Sequence, residues 1–215
     1  MNETMTIHKA LAELKVLDGR IEKETVAATF SVANKHSNTV INGVPIADFA
    51  NQAKDDLKSI KTLINRRNAI KRAVTRSNAS TKVTVGGKEY TVAEAIDMKN
   101  LGMNHLKYLC SLIENQYTSA KMKAERENGD KLEQRADTYI QSLYQNADKK
   151  NLSDEVKKMR DDFMASQTVE ILDPIGSVKE AAALRDEIDA FMTDVDSALS
   201  VSNALTTVEV EYETY

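Results

Sequence analysis

The sequence predicts a mainly α protein: long antiparallel helices in a coiled-coil-like bundle, with a small antiparallel β-sheet at one end. First, its 215 residues include only 7 Gly and 2 Pro, and 41% are hydrophobic and 29% charged, which is typical of long helices around an apolar core. Second, apolar residues recur at helical spacing from Phe49 to Val74. Third, one pattern occurs twice, at 73–85 and at 198–210.

Both copies of that pattern read Ala-x-x-x-Ser-Asn-Ala-x-Thr-x-Val-x-Val. Asn tolerates the left-handed conformation that often ends a helix, and Thr-x-Val-x-Val has the period of a half-buried strand. We therefore expect two helix-to-strand corners, with Asn78 and Asn203 at the helix ends. Their strands are expected to meet in one sheet, made of a hairpin at 82–91 and a C-terminal strand at 206–212. Chance similarity between two helix ends is the alternative.

Two long helices are predicted in the first part of the chain. Thr6 is a suitable N-cap for an amphipathic helix over 7–24. Pro45 suits the first turn of a second helix, which extends over 46–78 and measures roughly 50 Å at the usual rise per residue. A helix of this length usually packs as a coiled coil, so we expect a single elongated domain over 1–215 that forms oligomers.

Turn signals surround the second helix. The segment 25–44 is a long loop rich in Ser, Asn and Thr, with a turn at Asn42-Gly43. Loops of this length are often functional or ordered by a partner. After the helix, Gly86-Gly87 supplies the positive φ angles of a two-residue hairpin turn within Thr81–Thr91.

Capping signals predict the remaining helices. Thr91-Val92-Ala93-Glu94 is a capping box, and the apolar stripe that follows is interrupted at Asn128-Gly129 before it resumes to about Ala147. Either this helix continues, or it breaks there and turns back as a helical hairpin; we favour the break.

The last third of the chain carries similar signals. Ser153 caps a helix to about Ser166, and 168–172 is expected to be extended. Asp173-Pro174 and a second capping box, Ser177–Glu180, open the last helix.

Residues that could support catalysis are scattered. His8, His36 and His105 have no neighbouring ligand at metal-binding spacing. Cys110 cannot form an intrachain disulfide because it is the only cysteine, and its apolar neighbours indicate packing. No Gly-rich phosphate loop or nucleophile motif is present. The Asp and Glu residues are spaced as on the solvated faces of helices. We therefore expect no enzyme, catalytic residue, metal or cofactor.

A basic run is the strongest chemical signal in the sequence. Its members are candidate binding residues: Arg66, Arg67, Lys71, Arg72 and Arg76. The charge wraps around the helix, whereas a phosphate-binding face would be more focused. Pairing with acidic residues of neighbouring helices is therefore favoured over binding to an acidic partner or nucleic acid.

Arg67 falls inside the apolar stripe of the second helix. Because a buried guanidinium cannot lose its charge, we expect an acidic partner for it on the last helix. The acidic candidates there are Asp189, Asp194 and Asp196. Extension of the side chain into solvent is the alternative.

Two passages carry a resemblance to a group of known proteins. The first runs from Ile64-Asn65-Arg66-Arg67-Asn68-Ala69-Ile70-Lys71-Arg72-Ala73 through Ser77-Asn78-Ala79 to Gly86-Gly87-Lys88-Glu89-Tyr90-Thr91-Val92-Ala93-Glu94-Ala95-Ile96. The second runs from Asp173-Pro174 through Glu187-Ile188-Asp189-Ala190-Phe191 and 194–200 into the second Ser-Asn-Ala. Together they resemble uncharacterised helical proteins encoded by tailed phages and prophages of bacteria. The resemblance covers most of the chain except the loop 25–44; it implies a phage setting and carries over no catalytic residues.

Three classes of function follow. The first is a non-enzymatic, self-associating structural or interaction protein, with a place in the virion as one form. The second is an anti-defence protein that blocks a host immune factor or its nucleotide signal. The third is a nucleic-acid-binding protein that uses the basic helix 66–76, which the net charge of −4 does not favour. Met1–Lys9 lacks a signal-peptide core and no apolar run approaches the roughly 18 residues that span a bilayer, so we expect no membrane partner and a place in the host cytoplasm or virion.

Overall fold

A computed structural model describes residues 1–144 and 153–215 and shows a mainly α protein with long helices. The helices are α1 (Ile7–Ala27), α2 (Ile46–Ser80), α3 (Val92–Asp97), α4 (Met103–Asn128), α5 (Asp130–Leu143), α6 (Asp154–Gln167) and α7 (Ser177–Leu205), with a π-helical turn at Met98–Gly102 between α3 and α4. The strands are β1 (Asn2–Thr6), β2 (Val40–Ile41), β3 (Val44–Pro45), β4 (Lys82–Val85), β5 (Lys88–Thr91) and β6 (Thr207–Glu211).

Contacts divide the chain into two compact units. The first consists of Met1–Leu101 with Ala190–Tyr215, and the second of Gly102–Asp189. The interpretation of 1–215 as one elongated domain stays a prediction.

The strands of the first unit form small antiparallel ladders, and one of them corrects the predicted sheet. The hairpin β4–β5 is confirmed, with positive φ at Gly86 and Gly87. However, the C-terminal strand β6 pairs with the N-terminal strand β1, and the prediction that it joins the hairpin is wrong. Thr6 ends β1 and caps α1, and the Ile7 N–H then donates to Thr206 O at 2.9 Å, which aligns β1 with β6.

The core of the first unit lies between this β1–β6 ladder and the helices α1 and α2. Met5 and Val208 face each other across the ladder and are both buried. They join a cluster whose buried members are Met5, Ile7, Ala10, Leu14, Leu17, Ala69, Ile70, Val74, Val208, Val210 and Tyr212. The second copy of the repeated pattern therefore contributes its valines to the core beside α2.

Both copies of the repeated pattern are helix-to-strand corners, as predicted, but Asn does not end either helix. Helices α2 and α7 run through Ser-Asn-Ala and end at Ser80 and Leu205. Asn42 is the only non-glycine residue with positive φ in the described chain, so the expected left-handed Asn78 and Asn203 are wrong. In each copy the Thr after the helix closes its last turn with its backbone N–H. Thr81 donates to Ser77 O at 2.8 Å, and Thr206 donates to Ser202 O at 2.9 Å.

The second unit confirms the favoured break and one of its two predicted capping sites. Helix α4 ends at Asn128 and α5 begins at Asp130, while the expected end of that helix near Ala147 lies outside the described residues. Ser153 caps α6 by accepting from Val156 N–H. The predicted capping box at Ser177 is wrong: Ser177 is the first residue of α7, and its backbone N–H donates to the Asp173 carboxylate at 2.8 Å.

Candidate functional site

The structure separates the five predicted binding residues of α2 into two groups. Arg66 and Arg67 form ion pairs with the elements packed against α2. Lys71, Arg72 and Arg76 are exposed and have no ion-pair partner in the described part of the chain. The basic run is therefore partly a structural feature and partly a free positive surface.

Arg66 is the centre of a polar cluster that ties α2 to three other segments. Its Nε donates to Glu13 on α1 at 2.5 Å, and its Nη1 donates to the Tyr212 hydroxyl. Its Nη2 lies 2.6 Å from Glu3 Oε1 on β1, an ionic contact without hydrogen-bond geometry. The guanidinium also lies 5.0 Å from the centre of the Tyr212 ring.

The charge of Arg66 is stabilised by its surroundings although its side chain is only 23% exposed. The hydrogen bond to Glu13 raises the pKa of Arg66 above its usual range, against the opposing effect of burial. The Met1 ammonium adds a further tie, because it donates to the Tyr212 carbonyl at 2.8 Å. This cluster therefore joins both chain ends to α2 and is a stability element.

Arg67 pairs with Asp18 on α1 at 2.8 Å, so the predicted partners on the last helix are wrong. Its side chain is 35% exposed and that of Asp18 is 56% exposed. The guanidinium therefore reaches the solvated edge of the α1–α2 contact. The expected acidic partner is present, but it lies on α1, and Arg67 is not buried.

Arg72 and Arg76 border a cleft of about 540 Å³ between α2 and the β1–β6 ladder. Ala69 and Ala73 also line it, and its carboxylates come from both strands: Glu3, Glu209 and Glu211. Two arginines and three carboxylates make a mixed-charge lining. A long nucleic-acid backbone is uniformly negative and would meet the carboxylates as well as the arginines, so this composition does not favour it as the ligand. A small ligand with one or two phosphates could contact Arg72 and Arg76 alone.

Cys110 packs within the second unit, as expected. It is buried, and its Sγ lies 3.4 Å from the Ala181 carbonyl on α7. Burial raises the pKa of the Cys110 thiol, and the nearby Glu114 carboxylate acts in the same direction. Because the thiolate is the nucleophilic form, this environment suppresses reactivity.

A second surface, which no single motif predicts, lies where α1 and α2 are joined. Between Leu17 and Ile60 every residue is exposed or only half-buried. The large apolar side chains exposed in this stretch are here named the apolar tip: Val26, Phe30, Val32, Val40, Val44, Ile46 and Leu57. The sequence carried a hint of this surface, since Lys35 is the one residue of the Asp, Glu, Lys and Arg group in the loop 25–44, but only the structure shows that these apolar side chains stay exposed.

Comparisons with known proteins add no assignment. No protein-family model, curated protein or solved structure matches the chain. Within residues 1–144 and 153–215, no three His, Cys, Asp or Glu side chains are grouped as a metal site. In those same ranges, every helix is too short or too polar to cross a membrane.

Proposed function

We propose that the protein is a non-enzymatic, self-associating interaction module of a phage or prophage, with a place in the virion as one form of that role. The phage setting rests on the resemblance of the two sequence passages. The self-association rests on the surface that one chain leaves exposed.

That surface is the observation which supports the proposal best. The accessible area of the chain is 15047 Å². Two compact proteins with the masses of the two units, each counted by itself, would together expose roughly 12,000 Å² by the usual scaling. The excess of roughly 3,000 Å² per chain is larger than the roughly 800 Å² that a standard interface buries on each partner.

Sedimentation velocity at several protein concentrations tests this proposal. We expect the main species to have at least twice the mass of 23.9 kDa in the micromolar range. A single species of 23.9 kDa at all concentrations would contradict self-association. Mass spectrometry of purified phage particles then tests the virion role separately.

A second candidate is the anti-defence role, in which the cleft beside α2 holds a nucleotide signal. The observation that favours it is the pair Arg72 and Arg76, which face the cleft without carboxylate partners among the described residues. Fluorescence anisotropy with a labelled dinucleotide tests it. Binding should disappear in an Arg72→Ala/Arg76→Ala variant and persist in Lys54→Ala/Lys58→Ala, which removes two charges from the same helix outside the cleft.

A further inference from the structure

The first half of α2 has the sequence of a core helix but is only partly covered. Phe49, Ala53, Leu57 and Ile60 recur at helical spacing, which is the pattern of a buried stripe. Of these four, only Ile60 is buried, Phe49 and Ala53 are half-buried, and Leu57 is 44% exposed. For about three turns before Ile60, the unit therefore covers the stripe incompletely.

The connecting segment lacks charge as well as cover. Residues 26–47 contain one residue of the Asp, Glu, Lys and Arg group, Lys35, although such residues make up 29% of the chain. Phe30 and Val40 in this segment are each 47% exposed. Solvated loops normally carry polar or charged side chains, and a contiguous exposed apolar patch is typical of an interaction site.

We propose that the apolar tip is the surface on which a second copy of this chain docks, with two tips packed against each other across a two-fold axis. This inference rests on the proposed self-association and gives it a location. In a two-fold contact the same patch lies on both sides, so a second copy offers the tip a surface that is equally apolar and equally poor in charge. A patch with a single formal charge meets its own copy with almost no like-charge repulsion, and its apolar side chains find apolar partners.

The exposed area is sufficient for such a contact. A standard interface buries roughly 800 Å² on each partner, and the excess of roughly 3,000 Å² per chain is larger than that. The tip contributes seven large apolar side chains to this exposed surface, on α1, α2 and the segment between them.

The test is sedimentation velocity of the full chain with a matched pair of substitutions. Leu57→Asp places a carboxylate in the tip. Leu11→Asp is the control, since Leu11 is 42% exposed against 44% for Leu57 and lies on α1 of the same unit, outside the tip. Both changes replace an exposed Leu within a helix, so circular dichroism melts should show that both variants fold.

If the tip is the interface, Leu57→Asp should raise the dimer dissociation constant on the order of a hundredfold, because each dimer contains two copies of the change. Leu11→Asp should sediment like the wild type. The pair Val26→Asp and Val16→Asp repeats the test on α1, where Val26 in the tip is 82% exposed and Val16 outside it is 67% exposed.

The outcomes separate the two proposals. A wild-type dimer that survives both Leu57→Asp and Val26→Asp would overturn the tip as the interface and leave self-association standing. A wild type that is monomeric throughout would overturn both proposals. Loss of the dimer in the tip variants alone, with unchanged melts, supports both.

Discussion

Arg66 holds four segments of the chain together with one side chain. Its guanidinium contacts Glu13, Glu3 and Tyr212 and is less than a quarter exposed. Removing it leaves two carboxylates and a hydroxyl partly buried without their partner. We expect Arg66→Ala to lower the free energy of unfolding by roughly 1.5–3 kcal/mol, the usual range for hydrogen bonds to charged groups.

Arg67→Ala is the control, because its pair with Asp18 lies at the solvated edge of the α1–α2 contact. Exposed ion pairs contribute under about 1 kcal/mol. Urea unfolding of the wild type and both variants measures the difference. Equal and small losses in the two variants would contradict the central role of Arg66.

Glu94 provides a pH-dependent contribution at the start of α3. It accepts from the Thr91 N–H at 2.7 Å, and this backbone hydrogen bond lowers the pKa of Glu94 from its usual value of 4.5. Because the pKa is lower in the folded state, the stabilisation is present above the unfolded pKa and is lost as the pH falls through the folded pKa. We expect Glu94→Gln to be less stable than the wild type at pH 7, and this deficit to be smaller at about pH 3.

Urea unfolding at both pH values measures this effect. Glu22→Gln on α1 is the control, since Glu22 is exposed and has no hydrogen-bond partner in the described chain. A Glu94→Gln deficit of the same size at both pH values would show that the carboxylate charge is not what stabilises the cap.

The residue scale also shows what the sequence could and could not predict. The apolar stripe indicated that an arginine near position 67 would meet acidic side chains, and a pair with Asp18 was found. Which of Arg66 and Arg67 faces the neighbouring elements depends on the rotation of α2 about its axis, since neighbouring helix residues point about 100° apart. A continuous apolar stripe does not define that rotation. The acidic partners came from α1 and β1 because helix packing partners are not encoded by periodicity.

At the scale of elements, the repeated corners have matching closures. Thr81 and Thr206 follow the two helices, and their carbonyls accept from Val92 N–H at 2.8 Å and Ile7 N–H at 2.9 Å. The donors Val92 and Ile7 are the first residues of α3 and α1, the helices that Thr91 and Thr6 cap. Each corner is thus part of a helix–strand–strand–helix unit. In the first copy the unit is α2–β4–β5–α3 and is continuous along the chain, and in the second it is α7–β6 paired with β1–α1, from the two ends of the chain.

Sequence periodicity predicted β6 but not its partner strand β1, for a physical reason. Thr-x-Val-x-Val identifies a strand with one apolar face but does not identify its neighbour. In β1 only Met5 is buried, so its alternation is too weak to recognise. The hairpin β4–β5 was predictable because its turn chemistry is local.

The register of β1 and β6 can be tested with a disulfide. Met1 and Tyr212 exchange both backbone hydrogen bonds, so by alternation Thr4 and Glu209 form a non-hydrogen-bonded pair, in which side chains are closest. We expect Thr4→Cys/Glu209→Cys, in a Cys110→Ser background, to form an intramolecular disulfide on mild oxidation. Peptide mass mapping under non-reducing conditions detects it.

The control for this prediction is Thr84→Cys/Glu209→Cys in the same background. It tests the alternative in which β6 lies beside the hairpin. A crosslink in the control but not in the first variant would contradict the observed pairing of the chain ends.

At the scale of the whole molecule, the sequence correctly predicted a mainly helical protein. It gave only an indirect sign of the exposed apolar tip, through the low charge of the loop 25–44. The length of α2 was readable from periodicity, since Ile46–Ser80 matches the predicted 46–78 closely. Its exposure could not be predicted, because the sequence pattern of an apolar stripe is the same whether its own chain or another chain covers it. The proposed self-association would bury the exposed part of that stripe.

Self-association makes one thermodynamic prediction that does not depend on where the interface lies. If the folded state is oligomeric and the unfolded state is monomeric, mass action stabilises the folded state as concentration rises. With the unfolding enthalpy usual for a chain of this length, the melting midpoint should rise by a few degrees over a hundredfold range of concentration. Differential scanning fluorimetry from low to high micromolar concentration measures the shift, once reversibility has been checked by rescanning. The Leu57→Asp variant should lose the concentration dependence and the Leu11→Asp variant should keep it. A wild-type midpoint independent of concentration, with reversible unfolding, would show that one chain is stable alone with its apolar tip in water.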